Sequence, residues 1–189
     1  MKKGLLIVLS GPSGVGKGTV RQYFMDLLEL NLAYSISMTT RNKREGETEG
    51  KDYFFVSKDE FNHAVKKGEL LEYAEFVGNC YGTPKAYVER LREEGKNVIL
   101  EIEVDGATQV LEKAPEALSI FIIPPSLEEL EKRIRGRRSE SDEVIQKRLE
   151  KAERELKLIG HYKYVVCNED PKLAAHHVAT IIKNHIDIE

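Results

Sequence analysis

The segment "GPSGVGKGT", Gly11 to Thr19, follows directly on the apolar run "LLIVLS" and sets glycines at 11, 14, 16 and 18 around one lysine. Gly11, Gly16 and Lys17 fit the spacing G-x-x-x-x-G-K. Pro12, Ser13, Gly14 and Val15 fill the loop between them. Glycines let the backbone curl until successive N–H groups point inward, which makes a concavity for an anion. A helix starting near Lys17 adds the positive end of its dipole. A lysine ammonium then reaches the outer phosphates of a nucleoside triphosphate. The alternative is a glycine-rich turn with an incidental lysine, and the strand before and helix after argue against it. Gly18 stands where Ser or Thr usually follows the lysine, so the hydroxyl arrives one residue later, at Thr19.

Two further groups of cations could bind phosphate. Arg41 and Arg44 stand three residues apart in "SISMTTRNKREGETEGKDYFF", with Ser37 and Tyr53 as neutral donors. Planar guanidinium forks suit phosphate oxygens, although a solvated basic loop would read the same way. "EKRIRGRR" crowds Lys132, Arg133, Arg135, Arg137 and Arg138 together, with Arg148 further on. Spacing alone does not separate a phosphate-clamping lid from a charged helix face or a nucleic-acid patch, and the phosphate loop favours the lid.

These residues need rigid elements to hold them. "LLIVLS", "NVILEIE", "LSIFIIP" and "KYVVCN" read as strands apolar on both faces, as in a covered parallel sheet. Cys167, inside the last of them, reads as a small buried residue. Amphipathic segments lie between the strands. Val20, Tyr23, Phe24, Leu27 and Leu28 form one helical stripe after Lys17, and Ile145, Leu149, Ala152, Leu156 and Ile159 form another. Ser57 to Glu60 and Ser126 to Glu129 fit capping boxes, and Thr83-Pro84 reads as a cap with proline at the first helical position. Gly68 and Gly95 are helix stops. From Tyr34 to Val77 the runs are mostly strand-like, with one helical segment at 58–67, which predicts a β-rich insertion on an α/β body. "GRRSESD" separates two charged helices as an exposed lid segment.

Composition limits the remaining possibilities. The chain has 189 residues, enough for one substantial domain, and 29 Lys+Arg against 32 Asp+Glu. Near balance argues against a dedicated nucleic-acid binder. Two cysteines far apart, Cys80 and Cys167, make neither a disulfide framework nor a metal pattern, and the histidines show no ligand spacing. "MKKGLLIVLSG" has too short an apolar stretch for a signal peptide and no cleavage site, and no run is long enough to span a membrane. A cytoplasmic protein is expected, with no membrane and no obligatory protein partner.

The chain resembles the guanylate kinases, from the phosphate loop to near the C-terminus. The likeness is carried by "GPSGVGKGT", "SISMTTRNKREGETEGKDYFF", "ELLEYAEFVGNCYGTP", "LEIEVDGA", "PPSLEELEKRIRGRR" and "VVCNED". It implies a single P-loop NTPase-type α/β domain over 1–189, with helices on both faces of a parallel sheet. The core would span 1–33, 84–125 and 158–189, a β-rich nucleotide-monophosphate-binding insertion 34–83, and a helical lid 126–157. It further implies phosphoryl transfer from ATP, with Mg2+, to GMP and also dGMP, in purine nucleotide metabolism. By position, Ser37, Arg41, Arg44, Tyr53 and Tyr81 would hold the GMP phosphate, while Glu72, Thr83 and Glu103 would read guanine. Guanine offers N1–H and N2–H2 donors beside an O6 acceptor. A carboxylate at Glu72 can take both donors and Thr83 can donate to O6, whereas adenine would leave the carboxylate unpaired. By itself, Glu72 reads as an exposed strand carboxylate. Gly11 to Thr19 and Asn168 would bind ATP, and Lys17, Arg41, Arg133, Arg137 and Arg148 would act in catalysis. Arg138 is unassigned. No direct metal ligand is assigned, and Glu101 and Thr19 are candidates through water. The rivals are a non-catalytic guanylate-kinase-like module binding phosphorylated peptides, and a kinase for another nucleoside monophosphate.

Overall fold

The computed structural model describes residues 2–76, 78–136 and 141–188. The first strand, β1 (Leu6–Ser10), is wholly buried and runs into the glycine loop. Gly16, in the left-handed region at φ 96, starts α1 (Lys17–Gln22). The predicted stripe outruns this helix. After Gln22 the amides of Tyr23 and Phe24 turn to carbonyls three residues back, so the helix tightens and ends. Val20 and Phe24 stay buried, while Tyr23 and Leu28 face outward.

A short edge strand β2 (Leu32–Tyr34) leads into the insertion: β3 (Met38–Thr39), β4 (Phe54–Phe55), α2 (Lys58–Lys66), β5 (Leu70–Phe76) and β6 (Asn79–Pro84). Ser57 and Glu60 close a full capping box on α2, and Gly68 follows it at φ 67. The order β4-β3-β6-β5 makes a four-stranded sheet, with β3 antiparallel to β6 and β6 antiparallel to β5. Thr83 and Pro84 belong to β6, and Pro84 is itself the cap of α3 (Lys85–Glu93). The Thr83 hydroxyl is therefore not a helix cap. It is used in the site described below.

The chain then returns to the core through β7 (Asn97–Glu101), α4 (Val104–Lys113), β8 (Leu118–Ile123), α5 (Leu127–Arg135), α6 (Asp142–Leu156), β9 (Tyr164–Cys167) and α7 (Pro171–Ile188). The main sheet has the order β2-β7-β1-β8-β9 and is parallel throughout. Alternation along β1 divides the core. Ile7 and Leu9 pack with Phe24, Leu130, Ile134, Ile145 and Val178 on one face. Leu6 and Val8 pack with Val88, Ala107 and Val110 on the other. Helices thus cover both faces, as a buried parallel sheet requires. Cys167 departs from expectation: it is exposed, because β9 is an edge strand on which Val166 is buried and Val165 and Cys167 point the other way.

Candidate active site

The ends of β1 and β7 and the start of α1 enclose a cleft of about 400 Å³. Ser13, Gly14, Gly16, Lys17, Gly18, Thr19, Glu101 and Glu103 line it, together with Gln22. The glycines are needed for close approach. A Cβ on Gly11 would sit 2.3 Å from the Ile122 carbonyl, and one on Gly16 2.7 Å from Asn168 Nδ2. Lys17 Nζ donates to the Gly11 carbonyl at 2.7 Å and stands 3.9 Å from Glu103. Burial pushes its ammonium below the usual lysine range, against the pull of Glu103, Glu101 and Glu155. This desolvated cation beside a curled backbone suits an anion with more charge than one carboxylate.

Arginines of α5 and α6 reach the same loop. Arg148 Nη2 donates to Ser13 Oγ at 2.9 Å, and Arg133 Nη1 to the Val15 carbonyl at 3.4 Å. Arg137 and Arg138 lie outside the described residues. Asn168 is 1% exposed and donates from Nδ2 to the Val15 carbonyl at 2.7 Å, beneath the loop.

Arg41 and the aromatic residues of the insertion form a second group. Arg41 grips Glu47 bidentately, at 2.6 and 3.0 Å, and lies over the rings of Tyr53 and Phe55. Tyr53 meets Tyr81 edge-on with centroids 6.0 Å apart. The hydrogen bonds to Glu47 hold the guanidinium protonated above its ordinary range, and the same bonds hold Glu47 low. A planar fork paired with a carboxylate has the geometry that binds phosphate. Ser37 joins the group through its carbonyl, which accepts from Phe54. Arg44 gives its backbone N–H to Glu47 at 2.8 Å, with its side chain exposed.

Glu72 is buried, not exposed as strand alternation alone suggests. It is 7% exposed, and Thr83 Oγ1 donates to its Oε1 at 2.5 Å. That bond occupies the hydroxyl proton, so Thr83 does not offer it to another acceptor in this arrangement. Burial pushes the Glu72 carboxyl above the usual range, with Thr83 and Lys113 opposing. Gly106, in the first turn of α4, leaves the room: a Cβ there would lie 2.8 Å from Glu72 Oε2. Gln109 clamps both backbone groups of Tyr73 and so docks β5 on α4. Glu103, the cap residue of α4, stands between Lys17 and Lys151, 3.6 Å from the latter.

Sequence reasoning missed Gly106, Glu47 and the pair Lys151–Glu155. Gly106 offered a signal, because a glycine inside a helical pattern lowers helix stability and asks for a packing reason. Glu101, a candidate for water-mediated metal contact, is bound by Arg21 Nε at 2.7 Å, and Arg21 stacks on Tyr34. Among the described residues no group of three His, Cys, Asp or Glu could hold a metal alone. Thr19 and Glu101 at the cleft wall fit a divalent ion carried mainly by phosphate oxygens and water.

A parallel sheet with a lysine-bearing glycine loop at the carboxyl end of its central strand, and arginines converging on that loop, defines a nucleotide-binding kinase of the P-loop class. The guanylate kinase family model matches residues 3–185, and the chain belongs to the guanylate kinase family, a family of kinase enzymes. It is 54% identical to the guanylate kinase of Lactococcus lactis over 96% of this chain and 88% of that one. It is 51% identical to that of Streptococcus thermophilus over 100% and 90%. Among solved structures, the guanylate kinase of Anaplasma phagocytophilum superposes with a TM-score of 0.71 at 36% identity, covering 97% of this chain and 87% of that one. The SH3-kinase fragment of tight junction protein 3 shares the fold at a TM-score of 0.50 and 12% identity, over 97% and 58%. No described helix is long and apolar enough to cross a membrane.

Proposed function

We propose that the chain transfers the γ-phosphoryl group of ATP to the phosphate of GMP, and also of dGMP, giving ADP and the nucleoside diphosphate in purine nucleotide metabolism. One observation carries this reading: a single turn of α4 joins the two half-sites. At its start Glu103 faces Lys17 in the phosphate loop, and three residues on Gly106 packs against the buried Glu72. An acceptor held at Glu72 and a donor held at Lys17 would therefore be fixed relative to each other by one rigid element, which is what in-line transfer needs.

The acceptor phosphate is itself the attacking oxyanion, so no strong general base is required. Arg41, Arg44, Ser37, Tyr53 and Tyr81 would hold that phosphate, with Arg41 exchanging Glu47 for it. Glu72 would accept the guanine N1–H and N2–H2, and Glu103, which lines the phosphate-loop cleft, would approach the base from that side. Thr83 reaches guanine O6 only by releasing Glu72. On the donor side the loop amides and Lys17 would bind the triphosphate, while Arg133 and Arg148, with Arg137 from the same lid, would neutralise charge on the transferring group. Mg2+ bound with ATP would supply charge neutralisation on the phosphate oxygens, and Thr19 and Glu101 would hold it through water. The insertion and lid would exclude water from the transfer.

Following ADP release with AMP, CMP, UMP, dTMP, GMP and dGMP as acceptors tests the reading. Turnover is expected with the two guanine nucleotides. Comparable turnover with AMP or a pyrimidine nucleotide would overturn it.

A further inference from the structure

We propose that Gln109 is a positioning residue for base recognition: from α4 it holds the bulge of β5 that carries Glu72. This rests on the reading of Glu72 as the guanine acceptor, which the wild-type preference for GMP over IMP checks by itself. β5 breaks the alternation of a strand, because Leu70, Leu71 and Glu72 are buried in succession. Its pairing with β6 gives the reason. Leu70 stands opposite Pro84 and Tyr73 opposite Gly82, so Leu71 and Glu72 together face the single residue Thr83. One extra residue on one strand is a β-bulge, which bends the strand and re-aims a side chain. Here it sets Glu72 between the Thr83 hydroxyl and the room left at Gly106.

A bulge on an edge strand has unpaired backbone groups on its outer side. β5 is the last strand of its sheet, and side chains of α4 meet those groups. Gln109 Oε1 accepts from the Tyr73 N–H at 3.2 Å, and Gln109 Nε2 donates to the Tyr73 carbonyl at 3.0 Å. The carboxamide thus stands in for the peptide of a neighbouring strand. One turn further on, Lys113 Nζ donates to the Leu70 and Leu71 carbonyls at 3.1 and 2.8 Å. Gly106, Gln109 and Lys113 are spaced i, i+3 and i+7, so one face of α4 makes all these contacts. The Tyr73 N–H belongs to the same planar peptide unit as the Glu72 carbonyl. Gln109 therefore fixes the plane next to the Glu72 side chain, while Lys113 holds the other end of the bulge. Gln109 acts through Glu72 and needs no contact of its own with the base.

Two variants test the assignment, with GMP and IMP compared as acceptors. Gln109→Met keeps the length and the helix propensity but loses both bonds to Tyr73. The KM for GMP should rise about tenfold, the scale of the two hydrogen bonds lost, with kcat and the KM for ATP within about twofold of wild type. IMP lacks the 2-amino group and asks less of the carboxylate's placement, so its KM should rise only about twofold. The preference for GMP over IMP should thus fall about fivefold, a split that loss of folded protein does not produce. Gln109→Glu keeps the acceptor for the Tyr73 N–H and loses the donor for its carbonyl. It should lower the same preference, and it carries the test if Gln109→Met melts below the assay temperature. A wild-type preference in a folded variant, or equal losses on GMP and IMP, would overturn the proposal. A wild-type protein that does not favour GMP over IMP would overturn the reading of Glu72, and the proposal with it.

Discussion

Thr83 Oγ1 donates to Glu72 Oε1 across 2.5 Å, and this bond joins the adjacent strands β5 and β6. It fixes one carboxylate oxygen and leaves the other edge of Glu72 against Gly106. A buried carboxylate held this way is costly unless donors arrive to satisfy it. Guanine brings two.

Glu72→Gln tests that relationship. The amide keeps the shape but turns a donor towards a guanine donor, and kcat/KM for GMP should fall by about 2–4 kcal/mol. Activity on AMP should fall far less or rise, and the KM for ATP should stay within about twofold. Equal proportional losses on GMP and AMP would show that Glu72 only supports the fold.

Acidification should act on the same group. Burial raises the Glu72 carboxyl above the ordinary glutamate range, and only the ionised form accepts both guanine donors. In wild type, kcat/KM for GMP should decline as pH falls through that raised value, sooner than an ordinary glutamate would allow. Profiles of wild type and Glu72→Gln decide the matter, because the variant should lack this limb. An identical limb in both assigns it elsewhere.

Gly106→Ala places a methyl 2.8 Å from Glu72 Oε2. The helix itself should gain, since alanine is favoured over glycine by up to about 1 kcal/mol. Glu72 must move, and Thr83 resists it. The expected result is a KM for GMP raised about tenfold, with the melting temperature and the KM for ATP nearly unchanged, a split that loss of folding cannot imitate. A wild-type KM for GMP would show that Glu72 relaxes freely.

These residues mark how far the sequence could be read. The strands β1, β7, β8 and β9, the phosphate loop and the caps at Ser57 and Gly68 were legible because each depends on local chemistry. The stripe after Lys17 overstated α1, since periodicity does not say where the core ends. Cys167 looked buried because an edge strand and a central one share an apolar run, and only pairing distinguishes them. Burial of Glu72 was invisible locally: it depends on a glycine 34 positions away in sequence. β6 went unread because "GNCYGTP" carries turn residues, while its strand character comes from pairing on both sides with β3 and β5.

Lys17→Met should lower turnover by roughly 10²-fold or more, the scale of losing one preorganised charge stabiliser. GMP affinity measured alone should survive, because Lys17 faces the glycine loop. Turnover within a few-fold of wild type would refute its role.

The last prediction concerns Glu155, which no expectation from sequence included. It is 4% exposed, and neither carboxylate oxygen has a hydrogen-bond partner among the described residues. Its ion partner Lys151 stands 3.5 Å away. The two ends of this pair shift differently. Burial raises the Glu155 carboxyl despite Lys151. Lys151 is also held above its ordinary value: burial works against the charge, but Glu155 and Glu103 outweigh it. The carboxylate decides the stability balance, because its burial is unrelieved by hydrogen bonds, whereas the lysine is 44% exposed and also faces Glu103. A raised folded-state pKa means that the folded protein holds a proton the unfolded chain has already released. Stability from Glu155 is thus full below the unfolded value and is lost as pH rises through the folded one. Glu155→Gln removes this loss. Its melting temperature should match wild type near pH 4.5 and exceed it by a few degrees at pH 8. Lys151→Gln, which strands the carboxylate, should melt lower than wild type at pH 8 and recover on acidification. A Glu155→Gln protein less stable than wild type at pH 8 would mean that the ion pair outweighs the cost of burying it.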